Sequence, residues 1–176
     1  MEKSKRSADK GAEEPSSMRG VQAAAAASGF VLSGTMLGMF ITIPVILDTQ
    51  TDALQICRQW ARAFHYGHVA GPGLCGATLL LHLYAAFGGR KDPGQDKAKA
   101  KAARKRQLVA GLATMGMVPY TWLTMSSTNN ALFAQLAGGA ADLASVRHLV
   151  GVWSWLHFVR CMFPLTGAIL GLGVFL

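Results

Sequence analysis

Apolar residues fall along this chain in four long blocks, at residues 21–47, 68–87, 108–125 and 149–176. A helix that crosses a bilayer needs about 20 mostly apolar residues, and each block comes close to that length. A soluble helical bundle would show a polar face on every helix, and these blocks show almost none. The pattern predicts an all-α protein, an integral membrane four-helix bundle, in which residues 21–176 make one transmembrane domain. Residues 1–20 are charged and small with no apolar periodicity, which predicts a disordered tail. Between the first two blocks, Ala53, Ile56, Trp60 and Phe64 share one helical face and oppose Arg58 and Arg62, the signature of a short interfacial helix. Pro44, the triplet Gly71-Pro72-Gly73 and Pro119 mark expected bends within the spans. Gly34 and Gly38 have the spacing that lets a neighbouring membrane helix approach closely. A polar run, Ser126-Ser127-Thr128-Asn129-Asn130, closes the third span, and a helical or re-entrant piece at residues 131–137 follows it.

Charge orients the bundle. The net charge of +8 is concentrated in two places. Five basic residues precede the first span, and eight lie in the second connection, residues 88–107, whereas the other two connections hold only Arg58, Arg62 and Arg147. By the positive-inside rule both termini and the basic loop are cytoplasmic. The loop is then placed against anionic headgroups. No aromatic residue interrupts the basic runs, so base stacking, and with it a nucleic-acid partner, is not expected. The first span is too long for the apolar core of a cleaved signal peptide. For a eukaryotic chain this topology predicts the endoplasmic reticulum membrane. Cys57, Cys75 and Cys161 lack metal or redox spacing and read as packing residues.

Chemistry enters through polar residues inside the apolar blocks. His157 and Arg160 lie three residues apart in the fourth span, beside Trp153 and Trp155. Ionisable side chains are costly in lipid and generally face a protein interior or a wet cavity. Counting back about 20 residues from Leu176 at 1.5 Å per residue places His157 near the non-cytoplasmic edge of the hydrocarbon. The same topology brings Asp48, His65, His68, Asn129 and Asn130 to that layer, one or two from each of the other spans. Trp153, His157, Arg160, Pro164, Gly167 and Gly171 recur at spacings of 4, 3, 4, 3 and 4, one face of a helix. Each residue also has a plain structural reading. His157 can be a buried histidine bonded to a carbonyl, Arg160 can snorkel outward, and Asn129 and Asn130 can close a helix end. Trp153 and Trp155 can belong to an interfacial belt, and His65 and His68 can be ordinary interfacial residues. His65, His68 and His157 with Asp48 would suit copper, iron or zinc, although their spacing matches no metal motif, and no metal site is predicted.

Two segments, Ser127-Thr128-Asn129-Asn130-Ala131-Leu132 and Trp153-Ser154-Trp155-Leu156-His157-Phe158-Val159-Arg160, carry a resemblance. With the small-residue first span ending near Pro44, they make the chain similar in organisation, over roughly residues 28–176, to the fungal anthrone oxygenase family of small four-span membrane proteins. The resemblance implies oxidation of an aromatic polyketide anthrone to an anthraquinone by molecular oxygen, without flavin or haem. It implies His157 as general base, with His65 as a second base or proton relay, and Arg160 as counter-charge for the substrate oxyanion. It implies Asn129 and Asn130 as hydrogen-bonding partners of the substrate oxygens, Trp153 and Trp155 as stacking surfaces, and Asp48 and His68 as further members of the binding layer. The chain has no Gly-rich dinucleotide fingerprint and no Cys-x-x-Cys-His haem site. A different class stands beside the enzyme: a non-enzymatic tetraspan scaffold or small carrier. A carrier would show internal repeats, and none is visible. Oligomeric state is not legible.

Overall fold

The computed structural model describes residues 16–89, 96–139 and 141–173 and is entirely helical over them. Helix α1 runs Ser16–Thr49 and α2 runs Ala53–Phe87. A third, segmented rod comprises α3, Lys97–Met115, the single turn α4, Met117–Tyr120, a π-helical turn at Thr121–Met125, and α5, Ser126–Gly138. Helix α6 runs Leu143–Leu172. All four rods are long and apolar enough to cross a membrane.

The boundaries differ from the sequence expectations in three places, each for a physical reason. Helix α1 begins at Ser16, inside the stretch expected to be disordered, while residues 1–15 lie outside the described residues. The expected interfacial helix is the first part of α2, which continues without a break through Pro72. Proline costs a helix one ladder bond, and a packed membrane bundle absorbs that loss. The bend expected at Pro119 takes the form of the π-helical turn that follows it, and α5 carries the rod on through the polar run at residues 126–130. The basic connection 88–107 is helical from Lys97 onward, in keeping with its Lys- and Ala-rich second half, and residues 90–95 lie outside the described residues.

Helix starts are capped by acids. Asp52, Asp96 and Asp142 accept from Leu54 N (2.9 Å), Ala98 N (2.9 Å) and Ser145 N (2.8 Å) respectively, which satisfies donors that a first turn leaves unpaired. On outward faces, Thr35, Thr42 and Thr49 donate to the carbonyls of Val31, Gly38 and Val45 at 2.7–2.8 Å. Their hydroxyls therefore need nothing from the surroundings, as a lipid-facing position demands. Large apolar side chains, among them Ile41, Leu80, Leu112, Trp122 and Leu123, are exposed around the rods.

The rods form a ring in which α1 packs on α2, α2 on α3, α3 on α6, and α6 on α1. The face of α6 read as a seam is buried or half-buried along its length. Near its C-terminal end glycine makes close approach possible. A methyl group on Gly167 would collide with the Thr114 hydroxyl and come within 2.6 Å of the Ala110 carbonyl oxygen, and Gly29 sits against Ala168 and Pro164. Gly34 and Gly38, by contrast, face open space with nothing within 4 Å, so that pair is not used inside the bundle. Two apolar cores divide the length. One, around Ile43, Ile56, Trp60, Leu132, Val150 and Trp153, lies toward the start of α6. The other, around Leu32, Met36, Cys75, Met117 and Cys161, lies further along.

Candidate active site

Between the two cores, α6 presents a histidine that is only 4 % exposed. His157 Nε2 lies 3.1 Å from the Met36 carbonyl oxygen of α1. A carbonyl can only accept, so Nε2 carries the proton and donates. Nδ1 is left as the acceptor, and Arg160 Nη2 donates to it at 3.0 Å. The spacing of three residues on one helix brings the two side chains together. The Trp153 indole stacks on the imidazole from one turn before, with ring centroids 4.7 Å apart and planes 16° from parallel. Trp153 Nε1 in turn donates to Asn129 Oδ1 of α5 at 3.0 Å. Three elements thus fix the ring: α1 through a carbonyl, α6 through its own next turns, and α5 through the tryptophan.

Arg160 is the unusual member. Nη1 reaches Thr121 Oγ1 at 3.4 Å, and Nε is buried with no hydrogen-bond partner. Thr121 itself donates to the Met117 carbonyl at 2.6 Å. Among the described residues no carboxylate pairs with the guanidinium. A buried cation without a counter-charge is costly, so the site is unfinished as a structural device. It borders a small cavity of about 50 Å³, walled by Trp153, His157 and Arg160, by Met39 of α1, by Ala63, Phe64, Gly67 and His68 of α2, and by Thr121. The π-helical turn matters here because it begins at Thr121, the residue that meets Arg160. Such turns commonly occur at functional sites.

Of the residues singled out from sequence, the structure brings together His157, Arg160, Trp153 and Asn129, with His68 at the cavity wall. Asn129 reaches the group through Trp153 and does not border the cavity. His68 stacks on Phe64, centroids 5.5 Å apart and planes at 12°. The other four stand apart. Asp48 and Asn130 are exposed. Trp155 points outward, 64 % exposed, against Phe40 and Phe158. His65 lies against Tyr66 and lines a separate shallow groove with Arg58 and Arg62. His65, Trp155 and Asn130 face away from the cavity around their helices, and Asp48 also misses its depth, standing twelve residues, about 18 Å, beyond the Met36 carbonyl that meets His157. Among the described residues no three His, Cys, Asp or Glu side chains are grouped as a metal would require, and the set of Asp48, His65, His68 and His157 is not assembled. Sequence reasoning missed Met39, Ala63, Gly67 and Thr121, none of which carries a charge or a motif. It placed Phe64 on the buried face of a helix without linking it to the site.

Comparison with known proteins converges on one family. The family model described as anthrone oxygenase matches residues 60–170, a span that includes His157, Arg160, Asn129 and most of the cavity wall. An anthrone oxygenase from Aspergillus fumigatus is 42 % identical over 86 % of this chain and 90 % of its own length. An anthrone oxygenase from a Cryptosporiopsis species is 40 % identical over 86 % of both chains. A noranthrone monooxygenase from Aspergillus flavus is 38 % identical over 87 % of this chain and 72 % of its own. No solved structure matches.

Proposed function

The chain belongs to the anthrone oxygenase family, and on that premise we propose that it oxidises an anthrone-type aromatic polyketide to the anthraquinone with molecular oxygen, at the cavity beside His157 and Arg160. The observation that carries this reading is the half-buried guanidinium of Arg160, which has no carboxylate partner among the described residues and a buried, unpaired Nε, next to a buried imidazole 3.0 Å away. An anthrone supplies what that pair lacks. Its central methylene is acidic because the resulting anion is an aromatic, delocalised phenolate.

In the resting arrangement Arg160 occupies the Nδ1 lone pair of His157. A substrate oxygen that takes up the arginine frees Nδ1, which then removes the methylene proton as general base. Arg160 holds the oxyanion as charge develops on it. The anion gives one electron to oxygen, and the two radicals combine to form a carbon–oxygen bond. The peroxide anion takes a proton from the imidazolium. Loss of the second methylene proton, cleavage of the oxygen–oxygen bond and departure of hydroxide, which leaves as water, give the carbonyl. The net change is one oxygen molecule consumed and one water released. No step asks for a flavin, haem or metal. Trp153, held by Asn129, keeps the imidazole plane fixed.

The proposal extends to topology. With both termini cytoplasmic in the endoplasmic reticulum, the His157 end of the bundle lies toward the lumen. The test is purified protein in detergent with an anthrone, followed by oxygen uptake and quinone absorbance. Quinone formation above the spontaneous rate, lost in His157→Ala and Arg160→Ala, is expected. A wild-type rate equal to the background refutes the enzyme and leaves a scaffold or carrier. Activity lost on chelation and restored by one metal refutes the cofactor-free route.

A further inference from the structure

The cavity at His157 is too small for the substrate class proposed above. Ligand sites run about 300–1,000 Å³, and this one holds about 50 Å³, less than three fused rings need. One wall must move, and the walls are not alike. The α6 side is pinned by the hydrogen bonds of Trp153, His157 and Arg160. The α1 side bears the Met36 carbonyl that orients the ring. The α2 side is different. Helix α2 packs along α1 and α3 and more sparsely on α5 and α6, but barely meets the π-helical turn. At that seam lies Gly67, exposed at the surface, where an added methyl group would find nothing within 4 Å. Phe64 is held from behind by Trp60 and Phe133, but His68 is exposed and closes the gap only by stacking on Phe64. One turn further along α2 is Gly71-Pro72-Gly73, and Pro72 has no N–H to give to the carbonyl of His68. The missing bond, between two glycines, loosens the turn of α2 that carries His68. Beside the seam, Val69, Trp122 and Leu123 are 66–85 % exposed, which makes the surface into which it opens apolar.

We propose that the seam between Gly67 of α2 and Thr121 of the π-helical turn is a lateral portal, through which a flat, apolar, bilayer-dissolved aromatic reaches His157 and Arg160 when His68 swings off Phe64 on the turn that Pro72 loosens. This rests on the anthrone-oxidising function proposed above. It makes the substrate a membrane-partitioned molecule rather than one taken from water, and it makes the passage through α2 a determinant of substrate size.

The experiment uses Gly67→Cys in the full-length protein, where Cys57, Cys75 and Cys161 are all 0 % exposed. The variant is treated with methanethiosulfonates of increasing size and assayed before modification, after it, and after reduction with dithiothreitol. The expected result is a kcat/KM that falls stepwise with adduct size, by about tenfold or more for an aromatic adduct, and recovers on reduction. The same adducts on Leu112→Cys, a surface position on α3 away from the seam, should have no such effect. As a second readout independent of turnover, the anthraquinone product should slow modification of Gly67→Cys. An active protein indifferent to the largest adduct at Gly67 overturns the portal and leaves the function standing. A wild-type protein without quinone formation overturns both. A modification rate unmoved by saturating anthraquinone also overturns the portal.

Discussion

Two buried histidines sit in this bundle, and the contrast between them separates what holds the fold from what the fold is for. His82 is 0 % exposed, and its Nδ1 lies 2.7 Å from Gln107 Oε1 across the α2–α3 contact. A methyl group on Gly111 would stand 3.2 Å from its Cβ, and one on Gly171 would stand 3.0 Å from its Cε1. No cavity adjoins it among those described, and its partner is neutral. His157 is almost as deeply buried, yet its partners are a carbonyl and an unpaired arginine, and a cavity opens beside it. Burial alone therefore marks neither as functional. What distinguishes the His157 end is a cation without an anion among the described residues and space for a ligand, and what distinguishes the other end is the lack of space.

The largest expected effect breaks the pair apart kinetically. His157→Ala should lower the rate of quinone formation by about 10²–10⁴-fold, the usual worth of a general base. His82→Ala should leave the rate per folded molecule unchanged and lower the yield of folded protein. Steady-state kinetics normalised to the monodisperse fraction on size exclusion reads both. A fall in kcat for correctly folded His82→Ala would join the two histidines into one functional unit and end the contrast.

Next is the close contact that defines the inert end. Gly167→Val places side-chain atoms where Thr114 and the Ala110 carbonyl already are. Overpacking costs typically 1–3 kcal/mol; because backbone blocks the way here, we expect about 3 kcal/mol, seen as a lowered melting temperature in detergent and loss of monodispersity. Gly151→Ala on the same helix, where an added methyl group meets nothing within 4 Å, should leave the melting temperature unchanged. Equal effects at the two glycines would show that packing is no tighter at the His82 end.

The sequence made depth legible and direction illegible, for one physical reason. Lipid accepts apolar side chains on every face, so the spans have almost no amphipathic stripe to show which side turns inward. Counting residues from a span end still measures depth. His65 accordingly lies on the same stretch of α2 as the cavity wall without facing the cavity, whereas Asp48, about 18 Å along α1 from the Met36 carbonyl, shows how far a count from a span end can miss. His157 and Arg160 were readable because charge inside a span has few places to go. Thr121, Met39 and Gly67 were not, because nothing in a neutral residue tells a cavity wall from a lipid face. The continuity of α2 was hidden by Gly71-Pro72-Gly73, whose composition signals a break in water but is absorbed in a packed bundle. The seam on α6 could be read because its residues recur at helical spacing, bulky and polar toward the start and small toward the end.

A smaller effect concerns the polar bond at the inert end. His82→Leu leaves Gln107 buried and unmatched, which should cost about 1–3 kcal/mol. Adding Gln107→Leu should return part of that loss, because replacing both partners of a buried hydrogen bond by apolar groups is close to neutral. Thermal unfolding of the two single variants and the double variant measures the coupling. Additive losses would mean that the His82–Gln107 bond contributes nothing of its own.

The smallest effect lies at the start of α6, the helix that carries His157. Asp142 is fully exposed and caps the helix that carries Trp153, His157 and Arg160. Hydrogen bonds from the Ser145 side chain and amide, and from the Ala144 amide, hold its carboxyl below the ordinary carboxylate range. A group whose acidity is strengthened by folding stabilises the fold above its unfolded pKa, and that contribution fades as the pH falls through the folded value. The first turn of α6 should therefore loosen in acid while the Gly167 contact, which has no titrating group, does not. Amide hydrogen exchange at Ala144 and Ser145 should accelerate on acidification, beyond the intrinsic pH dependence, relative to amides near Gly167. Asp142→Asn keeps a capping oxygen and removes the titration, so its exchange should follow the intrinsic curve alone. If Asp142→Asn retained the wild-type excess, the acid sensitivity of this end would have another source, and the cap would be only one of several contacts that seat α6 above the site.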